Sequence, residues 1–170
     1  MRNGPNPAFA PISYTFPLDG DGMIHAMYLE DGAIHYRNRY VKTKGLLLEQ
    51  KLGRAIYSGI AMPIPPDPQL IGPNDDSGPF KKNGAFIHII QHAKHYLAMW
   101  EGGAAYEMDR ELNTIGEWLA GTPQPLAVGP HTRLDPDTKD LYLINYDIHP
   151  LRTMEGRRPR CVVRDRLRFL

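Results

Sequence analysis

A chain of 170 residues with 42% hydrophobic side chains and a formal net charge of +1 suits one globular domain and excludes wholesale disorder. A chain of that length can bury about 70% of its unfolded surface. The lone Cys161 excludes an internal disulfide framework and suits a reducing, cytoplasmic setting. No apolar run approaches the roughly 18 residues of a membrane span, and the first residues read as lacking a signal-peptide core.

Sixteen glycines and sixteen prolines punctuate short apolar runs. That spacing predicts a mostly β protein of short strands and turns. Residues 1–15 carry Pro5, Pro7 and Pro11, which deny ladder bonding and predict an irregular start. Asp19-Gly20-Asp21-Gly22 then turns into an alternating run. Met23, His25, Met27 and Leu29 share one strand face, and Ile24, Ala26 and Tyr28 the other. Asp31-Gly32 supplies the two left-handed positions of a tight hairpin, with Ala33 to Val41 returning.

Lys44 to Leu52 reads as one or two helical turns. Residues 59–80, with Pro63, Pro65, Pro66, Pro68, Pro73 and Pro79, read as a surface loop with a use, such as a lid or a contact to another part of the protein. Strands are predicted at Phe86 to His92 and Tyr96 to Trp100, joined by Ala93-Lys94-His95. Glu101-Gly102-Gly103 turns into Ala105 to Met108, and Asp109 to Thr114 turns into Ile115 to Leu119. Thr132 to Leu134 and Leu141 to Tyr146 flank a polar turn from Asp135 to Asp140. Strand, turn and strand at intervals of about 40 residues match consecutive propeller blades, a sandwich or an open barrel.

The charge is uneven. The last twenty residues hold Arg152, Arg157, Arg158, Arg160, Arg164, Arg166 and Arg168 against Glu155 and Asp165. Such a tail could meet an acidic surface. It has neither aromatic interleaving nor a helical stripe, so no nucleic-acid partner is expected. The composition changes abruptly after Pro150. The organisation read here is a domain over 1–150 and an Arg-rich tail, 151–170, foreign to that domain, as after a frameshift or premature stop.

Three blocks carry a family resemblance. Asp19-Gly20-Asp21-Gly22-Met23-Ile24-His25 closely resembles the N-terminal signature of the carotenoid cleavage oxygenases, which include lignostilbene dioxygenases and the retinoid isomerase of the eye. Lys82-Asn83, then Leu97-Ala98-Met99-Trp100-Glu101-Gly102-Gly103 leading to Tyr106-Glu107-Met108-Asp109, resembles the second block. His131-Thr132-Arg133-Leu134-Asp135-Pro136-Asp137-Thr138 resembles the third. The resemblance covers about residues 5–150. It implies an all-β fold, here about two to three blades of a seven-bladed propeller. It also implies a non-haem Fe(2+) centre held by four histidines, some oriented by glutamates. That iron would activate O2 to split a conjugated double bond of a carotenoid, apocarotenoid or stilbene into two carbonyl products. The implied partners are O2, an apolar conjugated substrate and a transient membrane surface.

Only the first ligand position falls within this chain, on His131. The other histidines read differently. His25 is a packed strand residue, and His35 and His149 are solvated. His88 and His92 share a strand face about 13 Å apart at roughly 3.3 Å per residue, which disfavours a ligand set with His95. Trp100 and Tyr106 suit either the wall of an apolar tunnel or the core. Gly129-Pro130 precedes His131 where the family has Ala-His-Pro, and Lys139-Asp140 replaces Gly-Glu. Two functional expectations follow: an iron dioxygenase of the carotenoid-cleaving type, or a truncated, inactive propeller fragment or interaction module that self-associates. The isolated chain is expected to be inactive.

Overall fold

The computed structural model describes residues 1–10, 12–13, 16–76, 82–143 and 163–165. Among the described residues there are ten strands and one helix, and every strand pairing is antiparallel. The mostly β expectation is met. The strands form three sheets. The first contains β1 (Arg2–Asn6), β2 (Asp21–Glu30) and β3 (Ala33–Tyr40), in that order.

Strand β1 corrects the irregular start expected for residues 1–15. It is an edge strand with Pro5 opposite Gly22, and an edge tolerates a proline that a central strand would not. The β2–β3 hairpin forms as expected, its turn built on Asp31 and Gly32, both with positive φ. Strand β3 ends at Tyr40, one residue short of the expected Val41.

Gly22 explains the wording of the signature turn. Its N–H donates to Gly84 O at 2.7 Å, and a Cβ there would lie 2.4 Å from Ala85 O. Only a glycine permits that approach between the first block and the residues after Asn83.

Helix α1 (Lys44–Leu52) follows. Thr43 caps it by accepting the Leu46 N–H, and Gly53 closes it in the left-handed conformation. This pair of caps is the usual way to satisfy helix ends. Glu49 points inward from α1 and is almost wholly buried.

The second sheet runs β4 (His88–His92), β5 (His95–Met99), β6 (Tyr106–Met108) and β7 (Thr114–Glu117). Its first hairpin is tighter than expected. Ala93 and Lys94 alone make the turn, both with positive φ, and His95 pairs with His92. Strand β7 stops short of Trp118, and Gly116 takes a positive φ. The third sheet orders β10 (Val163–Asp165), β9 (Leu141–Leu143) and β8 (Arg133–Leu134). Most of the arginine-rich tail, together with His149, lies outside the described residues.

Leu97, Ala98 and Met99 are all fully buried, so β5 is covered on both faces. Ala98 packs with Ile24, Ala26, Val41 and Leu112, whereas Leu97 and Met99 pack with Trp118, Val128, Leu141 and Leu143. The second sheet is therefore sandwiched between residues of the first and third. The stretch after β5 is fixed at the meeting of these two cores.

Candidate functional site

After β5 the chain passes Trp100 and Glu101 and folds over the indole at Gly102 and Gly103. A Cβ on Gly102 would meet the Trp100 ring at 2.2 Å, and one on Gly103 would meet Asn83 Nδ2 at 2.6 Å. Both glycines are thus required by contact. Ala104 then bridges Ala127, and the Val128 N–H donates to Gly103 O at 3.1 Å. These two links return residues 127–131 to the end of β5. They bring His131, two residues before β8, to Glu101: His131 Nε2 lies 2.7 Å from Glu101 Oε1.

An ionised carboxylate only accepts hydrogen bonds, so Nε2 carries the proton and a neutral ring keeps its lone pair on Nδ1. Carboxylate-oriented imidazole is the usual arrangement of a metal-binding histidine. The pair is open to solvent, with His131 the more exposed partner. Downstream, the Asp135 carboxylate accepts the Asp137 and Thr138 N–H groups and fixes the turn between β8 and β9. Those backbone donors hold the Asp135 carboxyl below the usual carboxylate range.

His88, on β4, is half-buried. Burial lowers its pKa, and the nearby His131 lowers it further. His95 points elsewhere: its Nδ1 lies 2.5 Å from Glu107 Oε1, and its ring packs beside Trp118. His92 pairs with His95 at the hairpin end. The structure therefore does not gather His88, His92 and His95 into a ligand set. Among the described residues, no group of three His, Cys, Asp or Glu is placed to hold a metal. His25 meets Tyr36 instead, with Nδ1 2.5 Å from the Tyr36 hydroxyl and the rings stacked. The described residues thus offer one carboxylate-paired imidazole at the position where the resemblance implies an iron ligand. A non-haem iron site takes at least three protein ligands, so the donors present do not hold iron on their own.

Sequence reading missed Glu101, which it treated as a turn residue. Its partner lies thirty residues away and becomes visible only through the Ala104–Ala127 bridge. Trp100 and Tyr106 are both buried. The Tyr106 hydroxyl accepts the Lys44 N–H at 3.0 Å, joining β6 to α1.

The chain belongs to the RPE65 family, described as retinal pigment epithelial membrane protein, whose profile matches residues 1–161. It is 34% identical over 151 residues to apocarotenoid-15,15'-oxygenase of Synechocystis, an alignment covering 79% of this chain and 28% of that protein. It is 31% identical over 142 residues to isoeugenol monooxygenase of Pseudomonas nitroreducens, covering 82% and 28% respectively. Among solved structures it resembles lignostilbene dioxygenase of Pseudomonas brassicacearum, with a TM-score of 0.73 and 28% identity over 85% of this chain and 29% of that one. The chain spans about 28% of the length of these curated relatives. Among the described residues no helix is long and apolar enough to cross a membrane.

Proposed function

We propose that this chain carries the N-terminal part of an oxygenase that splits a conjugated double bond of a carotenoid, apocarotenoid or stilbene. One O2 supplies one oxygen to each of the two carbonyl products. In this reading the three sheets are two to three adjoining blades of a propeller. Residues 1–150 form that part, and the arginine-rich tail is foreign to it. The carrying observation is the Glu101–His131 pair. A buried-strand terminus and a glycine fold deliver a carboxylate to an imidazole, fixing which nitrogen keeps its lone pair.

Family membership supports a cleavage oxygenase, and the names of the relatives span apocarotenoid, isoeugenol and lignostilbene chemistry. His131 would be one ligand of an Fe(2+) ion, which supplies the activation of O2 when bound, and Glu101 would orient the ring. Further imidazoles must come from a longer polypeptide. The 170-residue chain by itself is inactive in this proposal, because its described residues supply one imidazole corner. Its apolar substrate would be drawn from a membrane surface that the intact protein visits.

The test is anaerobic loading with Fe(2+), then exposure to O2 with several carotenoids, apocarotenals and stilbenes, followed by product analysis. The expected result is no product from this chain and carbonyl products from a longer polypeptide that contains it. Cleavage by this chain alone overturns the assignment of inactivity. Absence of products from the longer polypeptide overturns the oxygenase reading.

A further inference from the structure

Apart from the Glu101–His131 pair, a cavity of about 70 Å³ opens to solvent between the signature turn, the stretch after α1 and residues 82–86. Its apolar walls are Phe9, Ile60, Phe86 and Trp100. The Phe86 and Trp100 rings are tilted at 5.7 Å. Its polar wall is an ion cluster: Lys82 Nζ lies 2.5 Å from Asp21 Oδ1 and 2.5 Å from Glu49 Oε2.

The donors and acceptors of that cluster can be accounted for one by one. Glu49 Oε1 accepts the Ile56 and Tyr57 N–H groups, and Asp21 Oδ2 accepts the Ala8 N–H. Three of the four carboxylate oxygens therefore have a hydrogen-bond donor, and Asp21 Oδ1 meets Lys82 as an ion pair without receiving a hydrogen bond. An ammonium has three N–H donors, and one of them goes to Glu49 Oε2, so Lys82 has donors left for a ligand. The indole N–H of Trp100 is also buried with no acceptor among the described residues. This wall therefore offers the donors of Lys82 and Trp100 beside one acceptor, Asp21 Oδ1, a set that suits an oxygen able to accept from the ammonium. Two carboxylates against one ammonium leave the cluster a net charge of −1, which repels an anion.

From these observations we infer that the cavity binds the oxygen-bearing end of a neutral, unsaturated organic molecule. A hydroxyl or carbonyl oxygen accepts from Lys82, and the attached ring or alkene lies against Phe86 and Trp100. A carboxylate end is rejected by Asp21 and Glu49. The inference rests on the oxygenase reading only for the ligand's origin, a conjugated molecule of the kind that reading names.

Calorimetric titration of this chain with cinnamyl alcohol, cinnamaldehyde, cinnamate and propenylbenzene tests the inference on one carbon skeleton. The alcohol and aldehyde are expected to bind, with the acid and the hydrocarbon weaker by about tenfold or more, the loss of one buried hydrogen bond. Lys82→Met should erase the preference for alcohol over hydrocarbon. Because that variant exposes two carboxylates to mispairing and can fail to fold, Ile60→Trp serves beside it: it fills the cavity mouth without touching the ion cluster and should weaken every ligand. No binding, equal binding of the acid, or unchanged affinity in Ile60→Trp overturns the inference. Cleavage by the longer polypeptide without this binding sinks only the cavity, whereas binding without cleavage sinks only the oxygenase reading.

Discussion

Glu101 Oε1 sits 2.7 Å from His131 Nε2, and the two are brought together by a backbone bridge rather than by neighbouring strand register. Among the described residues the carboxylate meets the imidazole and no other side chain, so replacing either residue should leave the fold intact while changing the chemistry. In a longer polypeptide containing this sequence, His131→Ala should abolish iron loading and alkene cleavage. Glu101→Gln keeps an acceptor but loses its charge, and it should reduce activity by about 10–100-fold. His92→Ala should leave most activity, because His92 lies at the β4–β5 hairpin end against His95. Iron content and product yield check all three.

The signature glycine gives a sharper stability test. Gly22→Ala would place a methyl 2.4 Å from Ala85 O and 2.8 Å from Gly84 O. Backbone on both sides must move, so the variant should lose about 1–3 kcal/mol or more. Gly32→Ala meets nothing within 4 Å but sits at a φ of +76°, and should cost only about 1–2 kcal/mol from left-handed strain. Urea unfolding of the two variants should preserve that order.

These glycines show how far the sequence could be read. Asp31-Gly32 announced its hairpin because the turn itself demands such residues. Ala93-Lys94 makes an equally tight turn with neither glycine nor asparagine, so nothing local marks where the turn ends and His95 begins the strand. Strand β1 was hidden because Pro5 argues against a ladder, and only the sheet order shows it to be an edge. At the candidate site, the third block singles out His131 but says nothing of Glu101, since a local pattern carries no information about a partner delivered by a non-local bridge.

The Lys82 cluster predicts a large stability effect. Asp21 and Glu49 are both nearly fully buried, and Lys82 is the cation that meets them. Lys82→Met strands two carboxylates, and breaking such a buried pair costs about 3–5 kcal/mol. Adding Glu49→Gln to that variant should recover part of the loss, because one of the stranded charges disappears. Chemical denaturation of the single and double variants measures the recovery.

Asp76 sets a pH dependence. Burial raises its carboxyl above the ordinary aspartate value of 3.8, more than the Asn83 and Gly45 N–H bonds to it lower it. The folded state therefore binds this proton more tightly than the unfolded chain. Its contribution to stability is fully present below pH 3.8 and is lost as pH rises through the higher folded value. Asp76→Asn should flatten that part of the stability profile. Chemical shifts of the Asp76 carboxyl followed across pH 3–7 would show whether it titrates above the unfolded value; a midpoint at or below it contradicts the assignment.

The last prediction concerns the outer face of the first hairpin. Met27, Leu29, Ile34 and Tyr36 are exposed at 70%, 79%, 68% and 58%. Register places Met27 opposite Tyr36 and Leu29 opposite Ile34, so the four form one apolar patch. The other face of β3 is engaged: Arg37 and Arg39 donate to Glu111 O and Asn113 Oδ1. Strand β3 is also a sheet edge, without the proline or bulge that usually blunts one. An uncharged patch beside an open edge favours association of this 170-residue chain with itself. Sedimentation velocity should show a concentration-dependent rise in mass. Leu29→Glu with Ile34→Glu sets two like charges across the same pair and should shift the chain toward monomer, with little loss of stability because both side chains already face solvent. A wild-type chain that stays monomeric across the accessible concentration range would leave the patch without that role.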